Sequence, residues 1–557
     1  MANNIIRYPL PLLGLNTVNP YIEHDSGYAR ELTNLSIKDG RLFMRPAIVS
    51  YSFNNTIVAS LARIWWFDPN NVTRMSILSD GSRVNYTTGV VAEAAGVFAR
   101  HAQPTELKFS GTATTLDMVF GLYRPLVIDG GTAVAPDNLR PLTKASTFAA
   151  TGPYAAFGRP YCGASHKGRL YYANATYTIE WGNVGQVAGA FPAANTLSLE
   201  QFMNGQNILR LFSVSASPGT APSQNLFVVF GDAGRVLVFE GDNPLSATWN
   251  LIGAYDMPIP ASRRAFVEID GDIFIAGDRY AYWFKDLFNS GAEGAYNNSP
   301  TKPIENLWQA VTWAFGPLYD EEAHIFYDPI TDAIVCQCFE KNTGEANLSD
   351  VFEYINEGVC FAYFRKYKAW ALWATTPFFS PVIASGDSLY ATAYRGFINK
   401  LTPGVSQDSY VPSGGTDLFT IDIETSWKTP YAFLDKGIGM TMSSARAWVE
   451  LLHSDDYASI EKSRAIFNFS DLNAPWGFYT QNMVTQINPG RYNECRTTMN
   501  RLTYNQYQPL LQLGGDGSCL SLQTTFRGQV PDPGYTDPFI YSIYGISALV
   551  QPASEIF

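Results

Sequence analysis

The sequence predicts an all-β protein, and three observations carry that reading. Apolar and polar residues alternate with a period of two over most of the chain, while stretches with helical spacing are scarce. Aromatics make up 14% of the 557 residues, including 32 Tyr and 35 Phe, and such rings pack well on pleated surfaces. The 45 Gly and 33 Pro supply the turn chemistry that many short strands need. A chain of this length exceeds one compact core and is expected to divide into two or three units.

Residues 1–50 read as an extended N-terminal arm, punctuated by Pro9, Pro11, Gly14, Pro20, Gly27 and Pro46. The arm closes on a hairpin turned at Asp39-Gly40. Residues 51–405 then carry hairpin after hairpin. Asn225 to Phe230 and Arg235 to Glu240 flank a Gly231-Asp232-Ala233-Gly234 turn. Ala265 to Ile269 and Asp272 to Ala276 flank Asp270-Gly271, a favoured two-residue turn. A third hairpin joins Gly168 to Ala173 with Tyr177 to Trp181. Strand centres recur near Ile64, Leu116, Leu170, Phe227, Ile273, Ile325 and Leu389, at intervals of 46 to 64 residues. Several short strands per repeat of that size predict a β-propeller-like body, with an array of sandwiches as the rival architecture. A short helix is expected between Leu199 and Phe212, where Phe202, Met203, Ile208, Leu209 and Phe212 form a stripe. Residues 402–416, rich in Pro, Gly and Ser, read as a linker. Residues 406–557 resume as strands at Phe419 to Thr425, Ser444 to Leu452, Ala465 to Phe469 and Phe539 to Val550, and predict a C-terminal β-sandwich-like domain.

Charged residues are 16% of the chain, where about 25% is ordinary. That leaves broad surfaces suited to burial against partners. The formal net charge of −12 disfavours nonspecific DNA binding, which needs Lys and Arg to neutralise phosphates. It suits either a solubility charge or a conduit past which DNA slides without sticking. Met1 to Arg7 lacks the apolar core and small cleavage residues of a secretory leader, and no apolar run approaches the roughly 20 residues of a membrane span. Cys162, Cys336, Cys338, Cys360, Cys495 and Cys519 show no paired spacing, so free thiols in a reducing cytoplasm are expected. Cys336 and Cys338, two apart on a strand, face the same way.

Catalytic motifs are missing. The chain has no phosphate loop, dinucleotide fingerprint, HExxH, GxSxG or EF-hand spacing. His24, His101, His166, His324 and His453 are scattered and read as surface or core-edge residues. Asp270 and Asp272 serve a hairpin turn, with calcium ligation as the rival reading. His453-Ser454-Asp455-Asp456 reads as a solvated loop tip after an apolar strand. Glu180, Glu240 and Glu268 are the acids by type that a propeller glycosidase would need, and blade-edge acids are the plainer account. Arg365-Lys366-Tyr367-Lys368-Ala369-Trp370 mixes charge and rings as a nucleic-acid surface does, and as an ordinary amphipathic strand face does. No catalytic, cofactor or metal residue is assigned, and no enzyme activity is expected.

Residues 14–46 carry a resemblance. Gly14-Leu15-Asn16-Thr17 is followed by Gly27-Tyr28-Ala29, then Leu32-Thr33-Asn34, Asp39-Gly40-Arg41-Leu42 and Arg45-Pro46. This resembles the opening of tail nozzle proteins (tail tubular protein B type) of short-tailed bacteriophages, except that Ala47 stands where those usually have Gly. Pro258 to Glu268 with Tyr280 to Phe284 is similar to their mid-chain blade. Asp422 to Thr425 with Ser444 to Ala447 is similar to the strands that open their C-terminal half. The resemblance implies a structural virion protein, assembled in the host cytoplasm into a hexameric ring of the tail. The ring would meet the tail adaptor protein and tail fibre or tip proteins, and double-stranded DNA would pass through it for retention and ejection without sequence-specific binding. No cofactor is implied. Two rivals stand beside it: a carbohydrate-binding or carbohydrate-cleaving propeller, such as a receptor-binding tail component, and a cellular scaffold or adhesin propeller.

Overall fold

The computed structural model describes residues 10–18, 27–49, 162–185, 192–216, 225–311, 325–338 and 360–373 with nearly all their side chains, a few further positions such as Asp408, and elsewhere the backbone of the strands named below. Among the described residues, seven sheets follow one another along the chain as the blades of a β-propeller. Blade 1 runs from Arg63–Phe67 to Val91–Glu93 and blade 2 from Thr105–Lys108 to Asn138–Lys144. Blade 3 comprises Pro160–His166, Arg169–Asn174, Thr178–Trp181 and Thr196–Ser198. Blade 4 comprises Ile208–Ala216, Gln224–Gly231, Arg235–Glu240 and Asn250–Asp256. Blade 5 holds Phe266–Ile269, Asp272–Ala276 and Ala281–Trp283. Blade 6 is built on Ile325–Asp328, Ala333–Glu340, Val359–Phe364 and Ala369–Ala374. Blade 7 takes Ile383–Ser385, Ser388–Thr392 and Phe397–Thr402, and its fourth strand is Ala47–Phe53, from ahead of blade 1. Blade 7 also lies against Arg63–Phe67 of blade 1, so the last blade meets the first. Each of the seven apolar centres spaced along the sequence falls in its own blade.

A blade packed between two others must be apolar on both faces. In blade 4, Leu226, Val228 and Phe230 point into one core cluster, while Phe227 and Val229 point into the next. The two-residue period of a strand therefore divides a continuous apolar run between two cores. The outermost strand, Asn250–Asp256, alternates instead between exposed and half-buried positions. This double burial explains where the expected helix fails. Only Glu200–Met203 is helical, and it ends at Asn204 and Gly205, both at positive φ (52° and 79°). Ile208–Ala216 is a strand paired with Gln224–Gly231, and its apolar residues on both faces imitate a helical stripe. Blade 5 departs from the pattern in another way. After Ala281–Trp283 the chain runs into a helix, Phe284–Asn297, broken at Gly291, and then a second, Glu305–Ala310. Among the described residues no helix is long and apolar enough to cross a membrane.

The hairpins at 225–240, 168–181 and 265–276 form as expected. Asp39-Gly40 and Asp270-Gly271 are two-residue turns with both residues at positive φ, as the twist of a tight hairpin requires. Lys167-Gly168 makes a third turn of the same kind.

Beyond the propeller, two sheets form the C-terminal β-sandwich-like domain, and the N-terminal arm enters both. In one, the 14-residue strands Met440–His453 and Phe539–Pro552 run antiparallel, and Phe539–Pro552 also pairs with Asn4–Tyr8 and with Arg41–Met44 of the first hairpin. In the other, Glu31–Thr33 pairs with Thr425–Lys428, which leads on to Ser521–Gly528, Gln481–Ile487 and Cys495–Met499. Thr33 also pairs with Leu372 of blade 6, so this sheet continues into the propeller. Two readings of the sequence change here. The stretch 402–416 is not a plain linker, because Gln407–Tyr410 is a strand paired with Phe419–Asp422. Phe419 to Thr425 is two strands, Phe419–Asp422 and Thr425–Lys428, which pair in different sheets. The strand expected at Ala465 to Phe469 lies outside the described residues.

Two glycines of the arm separate conformational strain from steric fit. A Cβ at Gly40 (φ 72°) would meet nothing within 4 Å, whereas one at Gly14 (φ 78°) would lie 2.5 Å from the Trp370 backbone nitrogen. Gly40→Ala should therefore cost about 1–2 kcal/mol from the left-handed backbone alone. Gly40→Val should cost more, because β-branching tolerates that region poorly, and Gly14→Ala should cost more than Gly40→Ala. Denaturant titration of the variants measures the order, and equal stabilities would refute it.

Candidate functional site

Several residues of 14–46 that carry the resemblance lie along the contacts between the arm and the propeller, and the most connected of them is Arg45. Arg45 follows the first hairpin (Leu35–Lys38 and Arg41–Met44) and is 1% exposed. Its guanidinium meets Asp408 in a two-pronged ion pair, Nη1 to Oδ1 at 3.0 Å and Nη2 to Oδ2 at 2.5 Å. Its Nε donates to Asn34 Oδ1 at 2.8 Å, and Nη1 also donates to the Pro46 carbonyl at 3.0 Å. Asp408 Oδ1 accepts a further hydrogen bond from the Ile48 backbone at 2.7 Å. Such planar, charge-assisted pairs are the strongest that side chains make, and the fork geometry fixes direction as well as distance.

Asn34 extends the junction to blade 6. It sits at φ 57°, donates its backbone N–H to the Leu372 carbonyl (2.7 Å) and accepts from the Arg45 backbone (2.9 Å). Trp373 Nε1 donates to the Leu35 carbonyl at 3.2 Å. The hairpin tip is fastened too. The Gly40 N–H donates to Tyr367 Oη at 2.7 Å, and Lys38 Nζ donates to the Ile330 carbonyl at 2.9 Å. Further back in the arm, Gly14 lies against Trp370, and the Thr17 N–H donates to the Pro303 carbonyl at 2.8 Å. Gly14, Thr17, Asn34, Asp39-Gly40 and Arg45-Pro46 thus lie along the contacts between the arm and the propeller.

The basic and aromatic run 365–370 forms the turn and strand that receive this hairpin. Arg365 pairs with Asp270 (2.6 Å) and Asp332 (2.7 Å) and lies over the Tyr327 ring. Trp370 is buried and donates to the Pro300 carbonyl at 2.6 Å. Lys366 and Lys368 point to solvent.

The other candidates fall elsewhere. Asp270 is held by Arg365, and Asp272 Oδ1 accepts the N–H groups of Ile273 (2.8 Å) and Lys285 (3.0 Å). Both border an open bowl of about 380 Å³ with Ile269, Trp283, Lys285, Asp286 and Arg365. Burial pushes the Asp272 and Asp286 carboxyls up. Glu180, Glu240 and Glu268 stand on blades 3, 4 and 5. Glu180 is buried and accepts from the Tyr172 hydroxyl, and burial raises the Glu268 carboxyl. Cys162, Cys336, Cys338 and Cys360 are buried thiols outside any disulfide, and burial pushes those of Cys336 and Cys338 well up. His166 is buried between blades 3 and 4; the side chains of His24, His101, His324 and His453 lie outside the described residues. The same holds for Asp455, Asp456, Cys495 and Cys519.

Asp408 carries no mark in the sequence because it sits among the turn residues of 402–416. Gln407-Asp408-Ser409-Tyr410-Val411 is three polar residues followed by two larger ones, so this strand carries no period-two signal.

No family model matches the chain, and no curated protein matches it. Among solved structures, a chain of the crystal structure of the mitotic checkpoint complex is similar at 10% identity and a TM-score of 0.35, over 64% of this chain and 94% of that one. A chain of the crystal structure of BBS1N in complex with ARL6DN is similar at 11% identity and a TM-score of 0.38, over 65% of this chain and 98% of that one. Likenesses this distant carry nothing about function.

Removing one member of a buried ion pair strands the other charge, at a cost of about 3–5 kcal/mol, whereas replacing both with apolar groups of similar size costs far less. Arg45→Met or Asp408→Leu alone should therefore destabilise the chain strongly, and the double variant should recover much of the loss. A double-mutant cycle from denaturant unfolding checks this; additive single effects would show that the pair is not coupled.

Proposed function

We propose that this chain is a structural subunit of the nozzle or distal tube of a short phage tail. The observation that carries the reading is that the family-like residues of the arm line its contacts with the propeller, with the buried Arg45–Asp408 pair among them. In this reading the subunit closes with its copies into a hexameric ring and meets the tail adaptor at one end and fibre or tip proteins at the other. DNA passes through the middle, and no bond is made or broken. Interlocking suits such a part. Pressure on a tube strains each subunit as well as the contacts between them, and within this chain the arm, blade 6 and the C-terminal domain share sheets rather than hanging on linkers. Six copies would carry six times −12, or −72 formal charges, which favours a lumen to which DNA does not adhere.

Cryo-electron microscopy of the purified chain, with its mass measured in the same preparation, tests the proposal. The expected particle is a closed ring of about six copies. Its channel should be wide enough for duplex DNA, roughly 20 Å or more given a major groove near 12 Å. A monomer or trimer whose propeller funnel is closed and lined by paired carboxylates would replace this reading with a glycan-binding or glycan-cleaving one.

A further inference from the structure

Blades 3 and 4 meet through a buried histidine. His166 ends the strand Pro160–His166 of blade 3 and is 1% exposed. Both its ring nitrogens reach across to blade 4. Nε2 lies 2.9 Å from the Gly241 carbonyl oxygen and Nδ1 lies 2.7 Å from Ser213 Oγ. A carbonyl can only accept, so Nε2 carries the proton and donates, and Nδ1 is left to accept the Ser213 hydroxyl proton. The ring around these bonds is apolar. Tyr171, Phe227 and Trp249 surround the imidazole with centroids 5.5 to 6.3 Å away.

We infer that His166 is an acid-labile joint, holding blades 3 and 4 together as the neutral imidazole and loosening them when it takes up a second proton. Protonation at Nδ1 would turn a hydrogen-bond acceptor into a donor, so the Ser213 hydroxyl would have to rotate and give up its own bond. The Gly241 acceptor has little freedom to adjust. It sits at φ 124°, and a Cβ there would lie 2.8 Å from the Thr248 carbonyl. The charges acting on the ring are few. Lys167, next in the chain, opposes a second positive charge, and Asp242, beside Gly241, favours one. The neighbouring Tyr171 donates its hydroxyl to the Asp242 carbonyl at 3.1 Å, and burial holds that phenol neutral far above physiological pH. Arg169 lies close enough to act on Tyr171, and Phe227 and Trp249 present only rings. Burial outweighs the rest and pulls the imidazole below its ordinary value of 6.5.

The sign follows from linkage. The unfolded histidine binds its proton first as pH falls, so the joint is at full strength above about pH 6.5 and weakens below it, approaching tenfold per pH unit until the folded imidazole is protonated as well. Blades 5 and 6 respond in the opposite sense. Burial raises the Glu268, Asp272 and Asp328 carboxyls, so each binds its proton more readily in the folded chain and gains on acidification.

Hydrogen exchange of the full chain at pH 7.5 and 5.5, corrected for intrinsic rates, tests the joint. Protection across 160–173 and 208–216 should fall at the lower pH while that across 333–338 holds. His166→Gln, which cannot gain a proton, should show no such fall. The His166 ring-proton titration, followed by NMR on the wild-type chain, stands independently of that variant and should have its midpoint below 6.5. A midpoint at or above 6.5, or equal protection at the two pH values, would overturn the inference.

Discussion

A buried guanidinium is expensive to keep dry, because several kcal/mol of hydration are lost unless every prong finds a fixed partner. Arg45 finds its partners on three stretches of chain: Asn34 ahead of the first hairpin, Pro46 beside it, and Asp408 beyond blade 7. The requirement that all be present together makes the arm's position conditional on the completed propeller. Most other contacts of the arm follow from that placement. With Arg45 seated, Asn34 reaches Leu372, the hairpin tip reaches Tyr367, and Ala47–Phe53 leaves Pro46 in line to complete blade 7.

The shared sheet changes how the two halves of the molecule relate. A domain tethered by a linker can swing freely, since few contacts cross the boundary. Here Thr33 stands between Leu372 of blade 6 and Ser426 of the C-terminal sheet, so the arm contributes the strand that makes two sheets one. The ion pair and the strand therefore act in concert. One sets the direction in which the chain enters, and the other uses that direction to bridge the two bodies.

Much of the propeller was legible in the sequence because its signals are local. Asp39-Gly40 and Asp270-Gly271 announce tight hairpins through backbone angles that few other dipeptides accept, and the seven apolar centres mark one strand in each blade. Ile208–Ala216 imitates a helical pattern for a physical reason. A strand buried on both faces loses its alternation, and Ile208, Leu209 and Phe212 then fit either period. The junction was legible only by half. Asn34 and Arg45 stand out within a recognisable stretch, but nothing near Asp408 reveals that it answers a charge 363 positions earlier. Blade closure by Ala47–Phe53 was hidden for the same reason, since pairing across the whole body leaves no mark in either segment.

The arm's placement also sets the order of events at the ribosome. Glu31–Thr33 and Arg41–Met44 emerge early, yet they pair with Thr425–Lys428 and Phe539–Pro552. At about 5–20 residues per second, the arm's strands wait roughly 20 to 100 seconds for those partners. Throughout that interval the growing polypeptide carries unpaired strand edges, which invite pairing with another nascent copy. In a cell making many copies at once, the charged and flexible side chains Arg41, Lys38 and Glu31 around those edges would keep the waiting strands apart until each finds its own C-terminal half.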